Sequence, residues 1–200
     1  EMPLLTQAVM ATGNLVSGYW WLLLAIFIAG LVLFRRRLAD PQARRGFDAW
    51  VLRRGLVGGL VARLETARLA RTLGTLVHNG VPLLTALSIA RNVMGNLALS
   101  DAVEAASTEV KTGGALALAL GRSKLFPRLA LQMIAVGEES GELDTMLTKV
   151  ADTFDQEVRN TVDRLLAALV PAVTVFMALV VALIMMAILI PIFSLTNAVG

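Results

Sequence analysis

Cysteine is absent from the 200 residues, which excludes disulfides, thiolate metal ligands and a cysteine nucleophile. With a single histidine, His78, the chain cannot assemble a zinc site of several imidazoles. No GxxxxGKS/T run occurs, so the glycine-rich cradle that holds nucleotide phosphates is missing. Charge is missing too. Met2 to Phe34 and Leu165 to Gly200 hold no Asp, Glu, Lys or Arg, and all 18 Lys and Arg lie between Arg35 and Arg164. Ionisable groups at membrane depth mark proton relays and ion pathways, so this pattern argues against a pump or transporter. No stretch alternates apolar and polar residues as a half-buried strand would.

What fills the uncharged ends is apolar. Leu165 to Phe193 is interrupted only by Pro171, Thr174 and Pro191 and would reach roughly 43 Å as a helix, against about 30 Å of hydrocarbon. Leu15 to Phe34 gives about 30 Å by the same rise. Two membrane spans are therefore predicted, 15–34 and 165–193, with 1–14 and 194–200 as short flanks. Basic residues beside a span stay on the cytoplasmic side. Arg35, Arg36 and Arg37 follow the first span and Arg159 and Arg164 precede the second, which orients 35–164 to the cytoplasm and leaves both termini across the membrane. Tyr19, Trp20 and Trp21 then form an interfacial belt on the far side, or serve as lipid-facing bulk. The first span is no secretory signal, because its arginines follow the apolar run. Glu1 opens the chain without Met, which suggests a fragment of something longer.

The pI near 9.9 raises a nucleic-acid reading, but the net charge is only +3. Seven arginines (35, 36, 37, 44, 45, 53, 54) face two aspartates, Asp40 and Asp48, within 35–54. Such a stretch suits an anionic inner leaflet better than DNA. Residues 35–62, broken by Pro41, Gly46, Gly55 and Gly58-Gly59, read as a basic juxtamembrane connector on the membrane surface or as a packed linker.

The remaining middle, 63–164, is read as an antiparallel bundle of six helices, making the chain all-α. Leu69, Leu73, Leu76 and Val77 share one helical face that ends at Asn79-Gly80. Pro82 opens a helix with Leu83, Leu84, Leu87 and Ile89. Leu97 to Lys111 is the third, Ala115 to Leu120 a short fourth, and Pro127 to Val136 the fifth. A sixth, from near Ser140, places Leu143, Leu147, Val150, Phe154 and Val158 on one stripe opposite Asp152, Asp155 and Arg159. Nothing breaks it before Pro171, so it is expected to continue into the second span as one rod.

The segment VGEESGEL, Val136 to Leu143, is the sharpest local motif. Its structural reading has Gly137 capping one helix and Ser140 starting the next, with Glu142 and Asp144 complementing the helix dipole. Gly80, Pro82, Gly137 and Gly141 are then turn residues rather than contacts. Its functional reading makes Glu138, Glu139 and Ser140 an acidic contact for a basic partner surface. A calcium site from Glu138, Glu139, Glu142 and Asp144 is a third reading, without the spacing of a known loop. His78 is expected to be a dipole partner at a helix end rather than a catalyst. No cofactor, metal site or catalytic residue is expected.

Two stretches, LARTLGTLVHNGVPLLTALSIA (Leu69 to Ala90) and FPRLALQMIAVGEESGELDTMLTKVADTFDQEV (Phe126 to Val158), resemble the paired signatures of the type II secretion F and pilus-assembly C family of inner-membrane platform proteins. The closing AILIPIFSLTN (Ala187 to Asn197) is more similar to the secretion version. The resemblance covers nearly the whole chain and matches the carboxy-terminal half of proteins with two cytoplasmic six-helix domains and three spans. It departs where members often have Glu before the first proline of the last span and glycines deeper within it; Val170, Ala178 and Ala182 stand there here. The resemblance implies a non-enzymatic platform, a homo-oligomer that couples a cytoplasmic secretion ATPase to extraction of pseudopilins from the bilayer, alongside other inner-membrane assembly components. A type IV pilus platform is the alternative. Two other classes are weighed: a membrane-anchored helical receptor, for which no ligand module is present, and an intramembrane hydrolase, for which Ser17, Thr174 and Ser194 lack an acid or base companion.

Overall fold

A computed structural model describes residues 21, 22, 24–26, 28–32, 35 and 40–199, with the side chains of 41, 56, 187, 188 and 190–199 excepted. The 1–14 flank, half of the first span including Tyr19 and Trp20, and Arg36 and Arg37 lie outside the described residues. From Pro41 onward seven helices follow one another among the described residues: α1 Pro41–Leu52, α2 Gly55–His78, α3 Leu83–Asn92, α4 Leu97–Lys111, α5 Leu116–Gly121, α6 Arg128–Ser140 and α7 Leu143–Val199. The described residues contain no strand. The chain divides into two compact units, Arg37–Asp163 and the pair Glu1–Arg36 with Arg164–Gly200.

Local chemistry explains most helix ends in the first unit. Asp40 caps α1 by accepting from the Gln42 amide at 3.1 Å, with Pro41 in the first turn where no N–H is needed. Asn96 does the same for α4, accepting from Leu99 N at 3.1 Å. α2 stops at Asn79 and Gly80, and Pro82 precedes α3 with φ −55°. Neighbours in sequence pack side by side from α1 to α6, and α1 also lies on α4. Their inward faces meet in one core that includes Leu73, Leu87, Leu99, Val103, Leu116, Leu120 and Phe154, the last only 2% exposed.

α2 and α7 run antiparallel and are tied by a row of ion pairs. Arg63 meets Glu157 at 3.1 Å, Arg71 meets Asp152 at 2.8 Å and Asp155 at 2.7 Å, and His78 Nδ1 lies 2.9 Å from Asp144. These side chains are largely exposed, so each pair contributes little, about 0–1 kcal/mol. The burial of Leu147, Val150 and Phe154 behind the row holds the two helices together.

Several sequence expectations are revised. The presumed connector is helical: it supplies α1 and the first turns of α2, whose 24 residues begin at Gly55. Of the glycines that suggested a break, Gly58 serves close packing, since a Cβ there would overlap the Leu52 carbonyl, whereas Gly46, Gly55 and Gly59 have open space and are simply carried within the helices. With α1, the Arg37–Asp163 unit holds one helix more than the six expected. Leu84 and Ile89 of α3 are exposed, and Ala86, Leu87 and Ala90 form its buried face.

In the second unit the described residues between 21 and 35 are helical and exposed. α7 is the one helix among the described residues long and apolar enough to cross a membrane. Pro171 does not interrupt it, and the hydroxyl of Thr174 donates back to the Val170 carbonyl at 3.0 Å. That bond leaves Thr174 no free donor at membrane depth.

Candidate functional site

The VGEESGEL segment joins α6 to α7, and the structure redistributes its roles. α6 runs through Gly137 to Ser140 and ends at Gly141, whose φ of 75° is the left-handed capping conformation. Gly137 therefore does not cap the helix. It lies buried within it, where a Cβ would come within 2.8 Å of Met146 Cβ and 3.1 Å of the Leu143 Cα. Only glycine lets α6 and α7 approach this closely so soon after the turn that joins them. Ser140 is the last residue of α6 rather than the first of α7, and its Oγ accepts from the Glu142 amide at 3.4 Å.

Glu138 and Glu139, grouped by sequence as one acidic contact, have different surroundings. The Glu138 carboxylate accepts from Leu116 N at 2.6 Å and Ala117 N at 2.8 Å. Those are the first amides of α5, which Ala115 cannot cap with a side chain. A carboxylate there satisfies orphan donors and complements the helix dipole; hydrogen bonds to a charged group are worth about 1.5–3 kcal/mol. Glu139 is exposed, and among the described residues it has no hydrogen-bond or ion-pair partner. Glu139, Ser140 and Glu142 thus form the open part of the turn. The calcium reading loses its basis: no three acidic or histidine side chains converge among the described residues, and Glu138 and Asp144 are directed to α5 and to His78.

His78 stands in the last turn of α2, as expected of a dipole partner, and bonds Asp144 in the first turn of α7. The hydrogen bond from His78 holds the Asp144 carboxyl below its usual range, helped by the Thr145 amide. Hydrogen bonds to Asp155 and then Asp152 raise the Arg71 guanidinium. Gly80 has φ 79° in the turn before Pro82. Arg35, one of the three arginines expected to orient the chain in a membrane, is helical and exposed.

One polar cluster was not foreseen. α1 is keyed to the turn between α3 and α4: Arg44 donates to the Gly95 carbonyl at 3.2 Å, Asp48 accepts from Leu97 N at 2.8 Å, and Arg45 pairs with Asp101 at 3.2 Å. Beneath them Glu65 of α2, only 4% exposed, accepts from Gly95 N at 2.8 Å and from Arg68 at 3.1 Å. Buried carboxylates persist when so bonded. Apart from the Arg68 and Glu65 pair, the partners lie 30 to 56 residues apart in sequence, so no local motif announces them.

These features define, among the described residues, an all-α protein with a helix of membrane-spanning length and composition. Residues 69–191 match the family model described as Type II secretion system (T2SS), protein F. Across its full length the chain is 55% identical to the Type II secretion system protein F of Xanthomonas campestris pv. campestris, covering 49% of that protein. It is 40% identical to the protein of the same name from Aeromonas hydrophila, covering 52%, and 36% identical to the Type IV pilus assembly protein PilC of Thermus thermophilus, covering 50%. The chain belongs to the type II secretion system protein F family. It spans about half the length of the curated relatives it matches, in keeping with the resemblance to one half of a longer architecture.

Proposed function

We propose that this chain is part of a non-enzymatic inner-membrane platform of a type II secretion system, which receives conformational work from a cytoplasmic ATPase and applies it to pseudopilins in the bilayer. What carries the reading is the full-length similarity to secretion F proteins at 55% identity. In this reading 15–34 and 165–193 cross the membrane twice, 35–164 is a cytoplasmic helical bundle, and the termini are periplasmic. The absence of a P-loop sequence assigns nucleotide hydrolysis to a partner. Similarity to type IV pilus proteins at 36% identity supports the same mechanical role on pilins as the second reading.

The open part of the α6 to α7 turn is the contact we assign to the ATPase or another assembly component. Glu139 carries it, because Glu138 is held by α5. Like charges brought together at an interface cost several kcal/mol. Glu139→Lys should therefore lower both co-purification with the ATPase and secretion while the helical content stays unchanged. Glu138→Gln, in contrast, should lower stability by about 1–2 kcal/mol. Normal secretion and an intact complex in a folded Glu139→Lys protein would remove the turn from the interface.

A further inference from the structure

The corner between α1 and α2 exposes an unusual set of side chains. Trp50 is 50% exposed and Val57 58%. The Arg54 guanidinium lies 4.1 Å from the Trp50 ring centroid, and Phe47 stacks on the same Trp50 with ring centroids 6.0 Å apart. Arg53 and Arg54 have no carboxylate partner among the described residues. Every other charge on α1 is already used: Asp40 caps the helix, Asp48 holds Leu97, Arg44 holds Gly95 and Arg45 pairs with Asp101. The corner is thus a compact unit of two uncompensated arginines, an amphipathic indole and an aliphatic side chain.

We propose that this corner binds the anionic headgroups of the bilayer, with Arg53 and Arg54 on lipid phosphates and Trp50 and Val57 at the level of the glycerol backbone. Trp favours the interface because one end of its ring system is apolar and the other carries an N–H. Arginine matches phosphate through a fork of donors, and basic groups near an anionic leaflet are drawn to it within a Debye length. Six residues, 35–40, separate the apolar run ending at Phe34 from Pro41 of α1. A membrane contact here would leave the α1 faces that bind the α3 to α4 turn undisturbed, because it uses different residues.

The protein has three tryptophans, so Trp20→Phe with Trp21→Phe leaves Trp50 as the sole probe. The full chain is placed in nanodiscs of phosphatidylcholine alone or mixed equally with phosphatidylglycerol, with brominated acyl chains in each. The proposal predicts blue-shifted Trp50 emission and quenching by brominated lipid in the anionic discs. Arg53→Glu with Arg54→Glu, or high salt on the unaltered corner, should reduce that quenching by about half or more. Circular dichroism checks that the variant stays helical, and the salt arm needs no variant. Trp50 equally open to acrylamide in both discs, and indifferent to salt, would overturn the assignment. So would protection from acrylamide without lipid quenching, which would give the corner to a protein surface instead.

Discussion

The two halves of α7 share one backbone geometry and differ in everything their side chains meet. From Leu143 to Asp163 a narrow stripe of Leu147, Val150, Ala151 and Phe154 is buried, while Asp144, Asp152, Asp155 and Glu157 reach across to α2. From Leu165 to Met186 the described side chains, Thr174 excepted, are apolar around the whole circumference and almost all exposed. An amphipathic stripe needs a protein core on one side and water on the other. An apolar surface all round needs a solvent that is itself apolar. One helix thus records two solvents, and the change falls at Asp163 and Arg164, where the compact units also divide.

The contrast predicts opposite responses to the same kind of substitution. The largest effect belongs to the core: Phe154→Ala should cost roughly 3–5 kcal/mol in chemical denaturation, because the bundle closes only partly around the lost ring. An exposed residue of the apolar half should tolerate alanine but not charge. Ala178→Arg should disfavour membrane insertion by about 2.5–3.5 kcal/mol in a translocon assay. Efficient insertion of that variant would mean that the apolar half is not centred in a bilayer.

Much of this was legible in the sequence for a physical reason: periodicity reports which face is apolar, and flanking caps report where a helix starts. Leu97 to Lys111 is a helix between the limits expected, because Asn96 is its cap and Thr112-Gly113 its end. The Leu147, Val150 and Phe154 stripe was readable from spacing alone. Less legible were features that need a distant partner. Gly58 and Gly137 looked like helix breakers, and they are the places where another backbone or side chain comes too near for a Cβ. Glu138 and Glu139 looked equivalent until α5, 21 to 22 residues earlier, was seen to use one of them. The contacts of α1 span more than twice as much chain and were invisible for the same reason.

Smaller effects sharpen the polar side of the comparison. Asp152→Ala should change stability by no more than about 0.5 kcal/mol, since Arg71 keeps Asp155 and the pair is solvent-screened. A cost equal to that of Phe154→Ala would show that the stripe has been assigned the wrong phase. The least effect is at Asp144. Its folded carboxyl titrates below the ordinary value, so its contribution to stability is complete above that value and is lost as pH falls through the lowered one. His78→Ala should move the Asp144 titration, followed by NMR of its carboxyl carbon, back up toward the ordinary range. An unchanged titration would assign the shift to the Thr145 amide.

The central claim is that α7 passes from water into a bilayer, with the bundle on the cytoplasmic side. The absence of cysteine makes it directly measurable, because each introduced thiol is unique. Gly113→Cys, Gln156→Cys, Leu179→Cys and Gly200→Cys would each be treated with a membrane-impermeant maleimide, in intact and in opened cells. The account predicts labelling at 113 and 156 only after the cells are opened, none at 179 in either, and labelling at 200 from outside. Labelling at 113 in intact cells, or at 179 in any, would contradict it.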